Sequence, residues 1–157
     1  MKKLSTIFVS LFILICISCS SDEETDTKGN DEISNNPVSG KLFGSSFTMN
    51  SSKARNAVVF GNESVEVYLS SQNLGCGILG TSGYPIYIVA PRTVGTHTSN
   101  VYVTFNDPNS SNFISISSGV TVEIISINGT TVIGKVRATS QSTVSEINGK
   151  FESTFCD

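Results

Sequence analysis

The chain has 157 residues with 13 Gly, 4 Pro, no Trp and a formal charge of −3, which fits one modest domain and leaves no basic field for nucleic acid. The charge is unevenly placed: six acids (Asp22, Glu23, Glu24, Asp26, Asp31, Glu32) meet one base, Lys28, between residues 22 and 32, whereas from Pro37 onward seven acids balance seven bases. The acidity therefore belongs to the segment ahead of the domain, and the domain is formally neutral.

Lys2 and Lys3 precede an apolar stretch from Leu4 to Ile17. A spanning helix needs ~20 apolar residues to cross a ~30 Å hydrocarbon core. This run stops short at Ser18, ahead of carboxylates that hydrocarbon does not accept. The pattern is that of an export signal, yet the A-x-A-like site of a secreted protein is replaced by Cys16-Ile17-Ser18-Cys19. That tetrapeptide resembles the lipobox of bacterial lipoproteins, with a small residue, Ser18, just before the cysteine that receives the lipid. Most such boxes carry Leu where this chain has Cys16. Because Cys16 follows the bulky Ile15, the resemblance assigns the lipid to Cys19 and a signal peptide to residues 1–18. It implies a membrane partner held through covalent acyl chains at ~0.8 kcal/mol per buried CH₂, and no other cofactor or metal is expected.

Residues 20–36, SSDEETDTKGNDEISNN, carry one large apolar side chain, Ile33, too little to offset the entropy of ordering. They are expected to form a disordered tether with a reach on the order of 23 Å as a flexible coil. Ser20, Ser21, Asp22, Glu23 and Glu24 are similar to the acidic export signal of Bacteroidota lipoproteins displayed on the outer face of the outer membrane. The resemblance implies surface display.

From residue 37 to 157 the pattern has period 2, broken by turn residues. Gly40 to Phe43 and Phe47 to Met49 read as an opening strand pair, and Ala54 to Phe60 runs to a turn at Gly61-Asn62. Ser64 to Ser70 sets Val65, Val67 and Leu69 on one face, with Glu66 and Tyr68 on the other. Tyr84 to Ala90 follows, where Pro85 marks a strand start or an edge. Asn100 to Phe105 and Phe113 to Ser117 alternate in the same way. Val120, Val122 and Ile124 share a face from which Ile125 and Ile127 slip, which predicts a β-bulge near Ile124 and Ile125. Asn128-Gly129 predicts a hairpin into Val132 to Ala138, and Glu146 to Phe155 closes the chain. Eight to ten strands joined by short turns imply an all-β fold, an antiparallel β-sandwich or, alternatively, a closed antiparallel barrel.

Cys76 and Cys156 are the cysteines left in the domain, and in an oxidising envelope such a pair reads as a disulfide. His97, the single histidine, reads as a loop residue without metal-ligating neighbours. Glu63, Glu66, Asp107, Glu123, Glu146 and Glu152 fall at outward strand positions or turns, where a solvated carboxylate is expected. There is no G-x-S-x-G elbow, P-loop or dinucleotide fingerprint. Tyr84, Tyr87 and Arg92, in YPIYIVAPR, could offer an aromatic ledge with a charged neighbour for sugars or peptides.

Gly40 to Phe47, the Gly95 loop before a strand, and the closing VIGKVRATS and INGKFES make the chain similar to small Bacteroidota envelope lipoproteins that carry a β domain of unknown function. The resemblance implies a lipid-anchored β domain and brings no activity with it. The expectation is a non-enzymatic envelope protein, anchored to the outer membrane on its outer face, that binds a protein or glycan partner. A periplasm-facing accessory or inhibitor lipoprotein is the alternative, and a small hydrolase is a third reading.

Overall fold

The computed structural model describes residues 32–79 and 83–156. Eleven strands run in chain order: β1 (Ser39–Leu42), β2 (Ser45–Thr48), β3 (Ser51–Val59), β4 (Asn62–Ser70), β5 (Ile86–Pro91), β6 (Gly95–His97), β7 (Tyr102–Asn106), β8 (Phe113–Ile116), β9 (Val120–Ile127), β10 (Thr131–Ser140) and β11 (Ser145–Phe155). One 3-10 turn, Cys76–Ile78, follows β4. The all-β class expected from the alternation is what the chain adopts.

The strands form one continuous sheet in the order β6-β9-β10-β11-β3-β4-β5-β7-β8, with β1 on β11 and β2 on β1. All the pairings between named strands are antiparallel except β11 with β3, which is parallel and holds only Thr154 opposite Lys53 and Phe155 opposite Ala54. The sheet curls into a half-barrel, and among the described residues its end strands β6 and β8 do not pair with each other. Its two halves, on either side of the β11–β3 seam, bury one common core. Val65, Val67, Leu69, Ile86, Ile88, Val103 and Phe105 come from one half, and Val122, Ile124, Val132, Val136, Ile147 and Phe151 from the other.

The alternation works as the pleat requires. In β10, Val132, Gly134, Val136 and Ala138 point inward while Ile133, Lys135 and Arg137 turn toward solvent. The bulge forms where the phase slips: Ile133 pairs with Ser126 and Gly134 with Ile124, leaving Ile125 unpaired and 40 % exposed. The β9–β10 hairpin closes on Asn128, whose Oδ1 accepts from the backbone N–H groups of Thr130 and Thr131 at 2.9 and 2.8 Å. Pro85 proves to be a strand start, since β5 lies inside the sheet between β4 and β7.

Three expectations change. The packed domain begins before residue 37: Ile33 is buried, and the backbone N–H of Ser34 donates to Asn148 Oδ1 at 2.9 Å, because β11 offers this segment a hydrogen-bonding edge. Gly95 and His97 lie on a strand, β6, opposite Ile124 and Val122, rather than in a loop; three residues are too few for alternation to show. The turn after β3 is centred on Phe60 and Gly61, both with positive φ, one residue earlier than Gly61-Asn62.

The glycines of the closing motifs serve close packing. Gly134 sits opposite Phe151, and a Cβ there would stand 2.6 Å from Phe151 Cζ and 2.5 Å from the Glu123 carbonyl oxygen. At Gly149, with φ +150°, a Cβ would lie 2.6 Å from the Cα of Val38.

Cys76 and Cys156 are joined by a disulfide with Cα atoms 5.6 Å apart and a separation of 80 positions in sequence. It fastens the end of β11 beside the narrow seam, where the Cys156 N–H donates to the Ala54 carbonyl at 2.7 Å. Across the same seam the hydroxyl of buried Ser153 donates to Ser52 at 2.7 Å, and the Ser52 hydroxyl donates to the Glu152 carbonyl, also at 2.7 Å. Replacing both cysteines by serine is expected to cost up to ~4.5 kcal/mol on the chain-entropy account. Amide exchange should speed up at residues 154–156 before it does in the β10–β11 ladder. Gly134→Ala should cost ~1–3 kcal/mol through overpacking against Phe151, read as a lower urea midpoint.

Candidate functional site: a tyrosine ledge around a buried carboxylate

The four tyrosines of the chain, Tyr68, Tyr84, Tyr87 and Tyr102, form one contiguous cluster. Strand register brings them together. Tyr68 on β4 is directly opposite Tyr87 on β5, and Tyr102 on β7 is opposite Val89, two residues along the same face from Tyr87. Tyr84 precedes β5 and meets Tyr68 edge-on with ring centroids 5.9 Å apart. Tyr68 and Tyr87 are 5.0 Å apart and tilted, and Tyr87 and Tyr102 lie 5.7 Å apart, edge to face. Because Val65, Val67 and Leu69 face the core, Glu66 and Tyr68 emerge on the outside of the sheet, where the tyrosines cover them.

Glu66 is at the centre and only 6 % exposed. Its Oε1 accepts from the Tyr87 hydroxyl at 2.6 Å and its Oε2 from the Tyr68 hydroxyl at 2.9 Å. Arg55, directly opposite on β3, donates its Nε to Oε2 and places its guanidinium carbon 5.5 Å above the Tyr68 ring. Burial pushes the Glu66 pKa up, but the hydrogen bonds from Tyr87, Arg55 and Tyr68 outweigh it and hold the carboxyl below its ordinary range. The same contacts act on the donors. Desolvation and the bond to Glu66 drive the Tyr68 and Tyr87 phenols far above their usual values, and the bond to Glu66 raises the Arg55 pKa. Glu66 is thus an anchored anion, which corrects the expectation of a solvated carboxylate at this position.

Three of the four tyrosines form the floor of a groove of about 340 Å³, lined by Arg55, Tyr68, Tyr84, Tyr87, Thr104, Asn106, Phe113 and Ser115. Arg55, with 49 % of its side chain exposed, walls one side. Phe113, 68 % exposed on the last strand of the sheet, walls the other. Between them the Thr104 and Ser115 hydroxyls are 2.6 Å apart, one donating to the other. A second, more polar cavity of about 410 Å³ adjoins it through Asn106 and is bordered by Ser70, Gln72 and the loop that starts at Asp107.

Of the residues singled out from sequence, Tyr84 and Tyr87 do line the groove, whereas Arg92 does not. Arg92 lies past the end of β5, beside Asn56, Val58 and Glu63. The cation of the ledge is Arg55. Pairing was the missing information: Arg55, Glu66, Tyr87 and Thr104 are far apart in sequence and adjacent only once β3, β4, β5 and β7 are in register. The phase of S-V-E-V-Y-L-S, which already puts Glu66 and Tyr68 on one face, was the available signal.

His97 points its Nε2 to the Thr93 carbonyl at 2.8 Å. Glu123 pairs with Lys135 at 3.5 Å, and Glu146 with Lys41 at 3.7 Å. Among the described residues no three His, Cys, Asp or Glu side chains gather where they could hold a metal. Cys19, Ser20, Ser21, Asp22, Glu23 and Glu24 lie outside the described residues. No family model matches the chain, and neither does any curated protein or solved structure.

Glu66→Ala leaves two phenols and a guanidinium without their acceptor and is expected to cost on the order of 3 kcal/mol. Because the folded carboxyl has the lower pKa, its contribution is complete above the unfolded value of ~4.3 and fades as pH falls through the folded value. Urea midpoints measured from pH 3 to pH 6 should therefore rise with pH, and Glu66→Gln should flatten that segment of the curve.

Proposed function

We propose that the chain is a lipid-anchored envelope protein, held by Cys19 to the outer membrane and displayed on its outer face, that binds a partner without turning it over. The observation that carries the binding reading is the groove itself: Tyr68, Tyr84 and Tyr87 packed beneath it, with Tyr87 half-buried at its floor, between an exposed arginine and an exposed phenylalanine. Large, rigid aromatic surface with a polar rim is the composition of recognition sites, since it offers contact area at little cost in side-chain entropy. Binding rather than catalysis is favoured by Glu66, the carboxylate of this groove. Both of its oxygens already accept hydrogen bonds and its pKa is lowered, the reverse of what a general acid needs. The anchor rests on the Ser18-Cys19 junction and the acidic residues behind it, and the Cys76–Cys156 bridge fits an oxidising compartment.

Cys19→Ala is expected to move the protein from the membrane to the soluble fraction; retention on the membrane would refute the lipid anchor. Protease added to intact cells should degrade the wild-type protein, and survival until lysis would place it on the periplasmic side. A photo-crosslinking amino acid at position 113 should capture a partner on living cells that one at position 137, on β10, does not. Equal yields at both positions would remove the groove from the binding reading.

A further inference from the structure

We infer that the groove between Arg55 and Phe113 is a saccharide site selective for a pyranose bearing a carboxylate, an inference that rests on the binding reading above and specifies its ligand. The hydrogen-bond ledger of the floor points there. The Tyr68 and Tyr87 protons are given to Glu66, and the Tyr84 proton to the Gly75 carbonyl at 3.1 Å. Tyr87 and Tyr102 are 3.2 Å apart, and because the Tyr87 proton is already used, Tyr102 must be the donor of that pair. All four phenol protons are thus spent inside the protein. The phenol oxygens keep accepting capacity, and since Tyr68 and Tyr84 are buried, it is the half-buried Tyr87 that a ligand in the groove meets, and there it must bring a donor.

The donors on the protein side are few and placed at one end. Arg55 commits its Nε to Glu66 but leaves half its side chain exposed, so its terminal nitrogens form the cationic wall. The balancing carboxylate lies beneath, buried, and a ligand meets the guanidinium before it meets Glu66. Within the Thr104–Ser115 pair one hydroxyl proton is free. The opposite wall, Phe113, is an exposed apolar ring.

A ligand matching this pattern has hydroxyl donors for the Tyr87 oxygen and the Thr104–Ser115 pair, an apolar face for the Phe113 ring, and an anionic acceptor for Arg55. A carboxylated pyranose has all three: equatorial hydroxyls, a face of C–H bonds, and a planar carboxylate that suits the guanidinium fork. Peptide addition to the sheet is disfavoured at this floor, because β4, β5 and β7 are each paired on both sides and offer no free backbone edge. From Arg55 on β3 to Phe113 on β8 the groove crosses four strand spacings, on the order of 19 Å, which suits a short oligosaccharide. The volume of about 340 Å³ is at the small end of the range of ~300–1,000 Å³ for small-ligand sites.

The test uses intrinsic tyrosine emission of the purified full chain, since with no Trp every emitting ring belongs to the ledge. The probes are a glucuronate trisaccharide, the glucose trisaccharide of the same linkage, and acetate. The expected result is saturable binding of the uronate, at least tenfold weaker binding of the neutral sugar, and no response to acetate. Arg55→Gln should reduce the uronate to the affinity of the neutral sugar without changing the latter, and Phe113→Ala should weaken both. Phe113 is exposed, so that variant keeps the fold even if Arg55→Gln does not. Equal affinity for the two sugars, or uronate binding indifferent to Phe113→Ala, would overturn the inference. If neither sugar binds while a partner is still captured at position 113, the ligand class is wrong and the binding reading stands; if that capture also fails, both fall.

Discussion

Two register pairs, Thr154 with Lys53 and Phe155 with Ala54, are the ladder that joins the halves of this sheet. The seam holds because other constraints close the same angle. In the hydrogen-bonded order, β5 and β6 are six strands apart, ~29 Å if the sheet were flat. In the chain they are separated by residues 92–94 alone, a reach of at most ~14 Å. The sheet cannot lie flat and keep this connectivity. The return from β6 to β7, seven strands apart in that order, through residues 98–101 imposes a similar limit a second time. The chain thus crosses from one end of the sheet to the other and back, and the curl that buries Phe105, Ile124 and Phe151 together follows from it.

Curvature sorts the side chains by chemistry. The concave side takes the β-branched and aromatic core, and the convex side of β3, β4, β5 and β7 takes Arg55, Glu66, Tyr68, Tyr87, Tyr102 and Thr104. An anion as buried as Glu66 is costly without partners. Here it has one cationic and two phenolic donors, and each donor is itself fixed in direction by the acceptor. The network therefore sets the tilt of the rings as much as it stabilises the charge. Replacing Glu66 by an apolar residue would lose that orientation even where packing survived.

The strands and their faces were legible because period-2 alternation is a local signal, and so was the bulge, because Ile125 breaks the phase in a single step. Cys76 and Cys156 could be paired by elimination. Less legible were features set by partners. Three-residue β6 is too short to alternate, and Ile33 is buried by β11 rather than by its own polar surroundings. Arg92 follows Tyr87 by five residues in sequence, just past the end of β5, which suggested proximity, whereas Arg55 is a whole hairpin away in sequence and two strands away across the sheet. Cross-strand neighbours are ~5 Å apart and residues five apart along a strand ~17 Å. A charge for the ledge had to come from a paired strand, and only register identifies which.

The seam and the groove are mechanically connected. The Cys76–Cys156 bridge holds the 3-10 turn against the end of β11, and the residue before that turn, Gly75, accepts the Tyr84 hydroxyl. Tyr84 is 1 % exposed and backs the Tyr68 ring, whose own hydroxyl is on Glu66. Closure of the half-barrel is thereby relayed through one disulfide, one carbonyl and two rings to the floor of the groove. A second tie runs alongside, from the Ser70 hydroxyl at the end of β4 to the Gly83 carbonyl at 2.8 Å, just ahead of Tyr84. A preformed aromatic floor lowers the ordering cost of binding, so the covalent bond that stabilises the fold also prepares the surface that the fold displays.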